Sequence, residues 1–396
     1  MRILFVTPVV PSRAYGRRPY NFLRYLRGKH DLFLATFLTD QEYDLPYIEE
    51  LESWGIQVHT VSRPRMQSVG KCLLAPVTGW PLRGLYVRSG SLSRLIGRIA
   101  ADCRPDIFHF DRMRMGQYAK NLDRRRCIVD FTDSIPLYLE RKQAFTRSSA
   151  QRAVDWWERR TIPTFEERML KWNSTGILCS EVDTQYFLNM HPGANVRTIF
   201  NMVDPEEWKP KEEISGEPRG VYTGTLSYEP NIDALGYLVR EIMPLVWKEL
   251  PEFRLLVYGT RPGRQVLSML DDHRVQLFAN VPRLSDELSQ GDIYLCPIRV
   301  GSGMRNKILE AMATEMAVVS TTIGCEGMGL EDGKQIAIAD SAEEFANRMV
   351  HLAREQAERQ LLGKTGREFV LQNHHPQLIG AQLEAAYGEI LNQGKG

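Results

Sequence analysis

No apolar run in the chain approaches the roughly 18 residues that a membrane-spanning helix requires, so a transmembrane protein is not expected. The opening segment MRILFVTPVV is too short and too early for a signal peptide and reads as a first buried strand, which argues against export. Cysteine is scarce, six in 396 residues. Cys72, Cys103, Cys127, Cys179, Cys296 and Cys325 are scattered without metal-ligand pairing. Four of them adjoin or lie within apolar strand-like runs, where reduced thiols act as small hydrophobes, and a reducing cytoplasm is the expected compartment. Net charge is only +1 and no recognised binding module is present, so nucleic acid is not an expected partner. Heptad arrays, short repeats and low-complexity tracts are missing as well.

Acid is missing locally: none occurs between Glu52 and Asp102, while Arg63, Arg65, Lys71, Arg83, Arg88, Arg94 and Arg98 do. Met66, Leu73, Leu74, Trp80, Leu82 and Leu85 are interleaved with them. One reading places residues 63–98 at the edge of an anionic bilayer, as a peripheral contact on the inner face of the plasma membrane, each nearby cation adding about 1 kcal/mol. The other is a solvated helix face with a loop that packs its own apolar residues. The charge is also split along the chain. Residues 1–215 carry 32 Lys and Arg against 25 Asp and Glu, net +7; residues 216–396 carry 18 against 24, net −6. A basic first half suits an anionic partner, a membrane surface or a phosphorylated acceptor.

What is present is abundant core. With 43% hydrophobic and 25% charged residues, the length favours about two or three domains. Short apolar runs recur at helix-length spacing: ILFVTPVV, DLFLATFL, IQVHTVS, DIFHFD, CIVDFTDS, GILCS and RTIFN, then GVYTGTL, FRLLVYGT, RVQLFANV, IYLCPI, AVVSTTI and QIAIAD. Several are apolar on both faces, as strands of a helix-covered parallel sheet must be. In PNIDALGYLVREIM the apolar residues share one helical face, with Pro230 and Asn231 as a start signal. Between the two series, NMVDPEEWKPKEEISGEPRG reads as an interdomain linker. Two doubly wound domains in succession bind ligands at the carboxyl ends of their strands, which predicts a site in a cleft between them. Fold alone would equally suit transferases, epimerases and binding proteins.

In CPIRVGSGMRNKILEAMATEMAVVST a strand, a glycine-bearing loop and a helix start follow one another. Free amides around Gly303, Met304 and Arg305, the positive helix end, and the charges of Arg305 and Lys307 suit a phosphate. Glu310, one turn further in, suits two ribose hydroxyls. The competing reading is an ordinary charged helix start without a ligand.

The run KILEAMATEMAVVSTTIGCEG resembles the donor-site signature of the retaining GT-B glycosyltransferases of the large family four. VRTIFNMVDPEEWKP, with Asn201 and Asp204, is similar to the family's segment at the end of the first domain, Met202 standing where glycine is usual. GVYTGTLSYEPNIDAL, LVYGTRPG and FANVPRLSDELSQGDIYLCP follow in the family's order, and the resemblance is strongest from Val221 to Glu326. It implies an α/β, GT-B fold: two Rossmann-like doubly wound domains facing across a cleft, with residues 1–205 forming the acceptor domain and 216–375 the donor domain. A last helix, about 376–396, returns to the first.

The resemblance further implies a nucleotide-sugar donor, UDP- or GDP-linked, held by Ser302, Gly303, Met304, Arg305, Asn306, Lys307 and Glu310, with the backbone of Val281 to Leu284 at the base. Arg261 is a further phosphate contact, or an exposed loop arginine. Arg305 and Lys307 would stabilise the departing diphosphate, so no metal or other cofactor is implied. Two features depart from the family. Ser302 replaces the first of its paired glutamates, a variant familiar from a subgroup linked to bacterial exopolysaccharide systems. Asp133 stands where relatives carry a histidine that faces the donor sugar. There it would assist the sugar or acceptor hydroxyl, with Asp130 a competing neighbour, or else either aspartate caps the helix near Pro136. His109 reads first as a core histidine. Gly16, with Arg17 and Arg18, fits the turn that lies against donor phosphates or acceptor, or is an ordinary turn with solvated arginines. The implied activity is retaining, metal-independent transfer of a sugar to a hydroxyl of a glycan or lipid-linked acceptor in bacterial cell-surface polysaccharide synthesis. The alternatives are a same-fold epimerase and a non-catalytic sensor.

Overall fold

The structure is a computed structural model that describes residues 1–396 apart from Ala14, Arg147, 211–216, Ser289 and 394–396; the side chains of Arg65 and Gln393 are also outside it. The linker expected from composition falls in part on 211–216, outside the described residues. The chain divides into two compact units, Met1–Met202 with Pro376–Gly396, and Val203–His375.

Unit 1 is built on a seven-stranded parallel sheet of β1 (Arg2–Thr7), β2 (Asp31–Leu38), β3 (Gln57–Ser62), β4 (Ile107–Asp111), β5 (Cys127–Thr132), β6 (Thr175–Leu178) and β7 (Val196–Thr198). Their order is β3-β2-β1-β4-β5-β6-β7. The direction of winding reverses between β1 and β4, the topological switch of a doubly wound sheet. Side-chain alternation sends the two faces of β1 into two cores. Ile3 and Phe5 join Phe22, Leu23 and Leu26 of the helix Arg17–Leu26. Leu4 and Val6 join Leu92, Leu95, Ile96 and Ile99 of the helix Gly90–Cys103. That second helix starts where Ser89 accepts from the Leu92 amide. All six cysteines are free thiols, four of them buried.

The last helix, Pro376–Gln393, is part of unit 1. Ile379, Leu383, Ala386, Tyr387 and Ile390 lie in the same core as Ile3 and Phe5. Glu384 accepts from the Tyr25 hydroxyl at 2.8 Å and lies 2.6 Å from His30 Nε2. The closeness of this packing requires Gly380, because a Cβ there would come within 2.2 Å of the Tyr25 ring.

Unit 2 repeats the plan with β8 (Arg219–Thr225), β9 (Arg254–Thr260), β10 (Val275–Ala279), β11 (Ile293–Cys296), β12 (Ala317–Ser320) and β13 (Ala337–Ile338), ordered β10-β9-β8-β11-β12-β13 and parallel. Its switch lies between β8 and β11. β8 pairs with β9 along its whole length, but with β11 only at Ile293–Gly220 and Tyr294–Val221. Beyond those pairs the two strands part toward their carboxyl ends.

A substitution tests the closure of unit 1. Gly380→Val forces the last helix away from Tyr25 and is expected to cost about 1–3 kcal/mol in urea unfolding, the usual range for overpacking. An unchanged unfolding midpoint would show that this contact is slack.

Candidate functional site

The parting of β8 and β11 leaves the Thr223 carbonyl without its ladder partner on β11, and Lys307 occupies that place. Its Nζ donates to Thr223 O at 3.2 Å and to Asn231 Oδ1 at 3.0 Å, and lies 5.0 Å from the centre of the Tyr222 ring. Lys307 is the second residue of the helix Asn306–Ala313, which follows β11. A side chain from one side of the switch therefore reaches the strand on the other. Burial pushes its ammonium below the usual lysine range, and Arg305 adds to the depression while Cys296 opposes it. Acceptors compensate this desolvation, since a buried ammonium must be hydrogen-bonded.

Asn231 is held for this task. Its Nδ2 donates to Thr225 O at 3.1 Å, and its own carbonyl accepts from the Tyr222 hydroxyl at 2.7 Å. Gly224 clears the space, a Cβ there falling 2.9 Å from the Asn231 side chain. The helix begins at Glu229 with Pro230 in its first turn, in line with the Pro230–Asn231 start signal, and the Asn231 side chain turns to Lys307. Asn231 is thus an orienting residue for Lys307. The loop entering the helix is anchored too, as Arg299 donates to Asp233 at 2.8 and 3.1 Å.

The remaining expected donor residues also follow carboxyl ends of strands. Ser302 and Gly303 are half-buried, Gly303 at φ 73, and Met304 is buried. Arg305 is the residue preceding the helix, and its guanidinium folds back to donate to the carbonyls of Ser302 and Gly303, bracing its own loop. Asn306 opens the helix with its Oδ1 buried and without a partner. Glu310 is 2% exposed, so the helix presents it inward. Arg261 follows β9, exposed and at φ 55, its amide donating to Asn280 Oδ1 at 3.1 Å. Val281, two residues past β10, and Leu284, which opens the short helix Leu284–Leu288, are half-buried.

In unit 1, Gly16 follows β1 at φ 64 and is the residue preceding the helix Arg17–Leu26. Arg18 is not a solvated cation. It is 6% exposed and donates to Asp130 at 2.6 Å and to Asn201 Oδ1 at 2.8 Å. Asp130 also accepts from the Thr132 amide at 2.8 Å, and His109 Nε2 stands 3.8 Å away. Burial raises the Asp130 carboxyl, but Arg18 and His109 outweigh burial and hold it below the usual range. His109 is fully buried, with the Tyr387 hydroxyl 2.8 Å from Nδ1; burial lowers its pKa, and Asp130 opposes that shift. Asp130 and His109 are therefore framework.

Asp133 is half-buried just past β5, its amide donating to Phe131 O at 3.0 Å around Thr132, a non-glycine residue at φ 69. Neither aspartate caps the next helix: Ser134 does, accepting from the Leu137 amide. Asp111 ends β4, and Arg112 and Arg114 follow it. Their signal was available, a charged run at the carboxyl end of a switch-point strand. A hollow lined by Lys29, His30, Trp54 and Gln57 lies instead at the amino ends of β2 and β3, the wrong edge for such a fold.

Asn231→Ala leaves Lys307 one acceptor fewer and is expected to lower unfolding free energy by about 1–3 kcal/mol, measured by urea titration. No loss would mean that Asn231 does not support the ammonium.

Residues 217–355 match the family described as glycosyl transferases group 1. An uncharacterized 44.6 kDa protein in the cps region of Klebsiella pneumoniae is 27% identical over 174 residues, 41% of this chain and 44% of that protein. The match thus spans less than half the length of that curated relative. Three solved structures share the architecture. A glycosyltransferase from Rickettsia africae is 14% identical with a TM-score of 0.68, covering 98% of each chain. HepE of Anabaena in complex with UDP-glucose is 13% identical with a TM-score of 0.70, covering 98% of this chain and 100% of that one. A mutant of S. aureus TarM in complex with fondaparinux, alpha-GlcNAc-glycerol and UDP is 10% identical with a TM-score of 0.70, at 98% and 100% coverage. At such identities the likeness is one of fold. The chain has the GT-B fold, and its residues 217–355 are similar to the glycosyl transferases group 1 family.

Proposed function

We propose that the protein is a retaining, metal-independent glycosyltransferase that moves a sugar from a UDP- or GDP-sugar to a hydroxyl of a glycan or lipid-linked acceptor, in the synthesis of a bacterial cell-surface polysaccharide. The observation that carries the donor half is Lys307, set at the start of a helix and across the switch of unit 2. Negative charge grows on the departing diphosphate as the glycosidic bond breaks, and a cation already desolvated and oriented meets that charge without reorganisation. Arg305 and the amides of Gly303 and Met304 complete the anion cradle. Glu310 holds the ribose, and Val281 to Leu284 with Arg261 line the base and phosphate side. Unit 1 serves the acceptor, Asp133 taking a sugar or acceptor hydroxyl. The cps-region relative supports a polysaccharide pathway.

A thermal-shift screen of nucleotide sugars tests the donor half, since a ligand at 100 times its Kd stabilises the folded form by about 2.7 kcal/mol. One UDP- or GDP-sugar is expected to stand out, with Lys307→Ala and Glu310→Gln each weakening it about tenfold or more. Unchanged affinity in both variants removes the assignment. Because the ammonium form binds, affinity is retained below the folded pKa of Lys307 and lost as pH rises through it, earlier than the ordinary lysine value near 10.4 implies. Turnover of the donor with an acceptor, read by NMR for the product anomer, separates the transferase from a sensor and from an epimerase. An inverted anomer would overturn retention.

We also propose peripheral contact with an anionic bilayer through residues 63–98. Met66, Val69, Leu73, Leu74 and Val77 are 51–89% exposed on the helices Arg65–Cys72 and Ala75–Thr78 and the turn between them. Part of the expected surface is interior: Leu85 is buried, Arg83 pairs with Glu158, and Trp80 packs on Phe165 at 5.1 Å. The side chain of Arg65 lies outside the described residues. Sedimentation with phosphatidylserine-containing vesicles is expected to capture the protein, and Leu73→Glu with Val77→Glu to release it. Equal binding by the double variant would refute the contact.

A further inference from the structure

Unit 1 holds, at the carboxyl edge of its own switch strand, a charge cluster for which neither its core nor the donor site has a use. β4 ends on Asp111, which is 2% exposed, yet its Oδ2 is buried and accepts no hydrogen bond. The neighbouring Arg112, exposed and held at φ 68, brings its Nε within 3.9 Å of that oxygen, too far for a hydrogen bond. Arg114 is half-buried, and its Nε is buried without a partner. Arg83 and Arg63 lie within electrostatic reach of Arg114; Arg83 is paired with Glu158, and Arg63 stacks on Phe37 and Tyr86.

Four arginines against Asp111 and Glu158 leave a formal surplus of +2. The surplus has a cost. Burial, then Arg112, Arg83 and Arg63, bring Arg114 down to about 9, against the pull of Asp111. Burial brings Asp111 up to about 6 although Arg112 opposes it. A pair that holds the fold closes to hydrogen-bond distance, as Arg18 Nε does on Asp130 at 2.6 Å. Here the carboxylate and the guanidinium groups stand side by side and unjoined, an arrangement that a ligand bearing both a hydroxyl and an oxyanion would satisfy.

We propose that the carboxyl edge of β4 is a subsite for an anionic acceptor: Asp111 accepts from one of its hydroxyls, while Arg112 and Arg114 hold a phosphate or carboxylate that the acceptor carries beside that hydroxyl. Drawing Arg112 onto the oxyanion uncovers the Asp111 oxygen, so the two groups are recognised together and a neutral glycan is not. The role as acceptor subsite rests on the transferase reading; the anion binding itself does not.

Titration calorimetry in the Lys307→Ala background, which removes the donor cation, separates the two. The probes are glucose 1-phosphate, glucuronate and methyl glucoside. One of the two anions is expected to bind, with Arg112→Ala, at an exposed position that leaves the core intact, and Arg114→Ala each weakening it about tenfold or more. Asp111→Ala is expected to weaken the sugar anion while leaving inorganic phosphate unchanged. Preference for glucose 1-phosphate assigns a phosphorylated acceptor, and preference for glucuronate an acidic sugar. Binding of neither, or affinities that Arg112→Ala and Arg114→Ala leave unaltered, overturns the subsite. UDP binding in the otherwise unaltered protein is expected to survive Arg112→Ala; absence of any UDP binding would instead count against the donor reading alone.

Discussion

A desolvated ammonium needs acceptors, and this requirement organises the switch of unit 2. The carbonyl that takes Lys307 exists because β11 leaves β8 after two paired residues. The amide that takes it exists because Gly224 gives Asn231 room and Tyr222 fixes the backbone beside it. Strand divergence, a glycine, an asparagine and a lysine far apart in sequence thus form one unit. The outcome is a cation whose position is fixed by the fold itself.

Unit 1 resolves the opposite problem, the surplus of buried groups near its switch, by committing some of them fully. Asp130 receives Arg18 and the Thr132 amide, and His109 receives the Tyr387 hydroxyl from the last helix. Removing one partner from such a buried pair typically costs about 3–5 kcal/mol, so these residues are fixed by stability and are withdrawn from chemistry. Asp111, paired in register with Asp130 across β4 and β5, lies outside this network, its Oδ2 accepting no hydrogen bond.

The thirteen strands among the described residues were legible because parallel strands covered on both faces must be short continuous apolar runs. The weakest of them, RTIFN, is a strand of only three residues, Val196–Thr198, beginning one residue before that run, where burial is only partial. The helix Asn306–Ala313 was legible from the glycine loop and the charges before it. What was not legible depended on partners distant in sequence. Arg18 reads as a loop cation until Asp130, 112 residues away, is folded beside it. Asn231 reads as a helix start until Lys307, 76 residues on, claims its side chain. Ser134, rather than either aspartate, caps its helix, one residue beyond a turn in which the Asp133 amide donates to Phe131 O.

Backbone strain points to the same edges independently. Six described non-glycine residues have positive φ: Arg104, Arg112, Thr132, Arg261, Asn280 and Glu315. Arg104 and Glu315 end helices, where a left-handed residue is an ordinary stop signal. The other four directly follow or end β4, β5, β9 and β10. A left-handed arginine or threonine costs about 1 kcal/mol or more, and persists only where surrounding structure over-determines it. Carboxyl ends of doubly wound strands are where ligands bind, so strain gathered at those ends, and in both units, is what two binding surfaces would produce. Arg112 carries that strain beside an unjoined carboxylate, which sets it apart from a surface arginine with no ligand to hold.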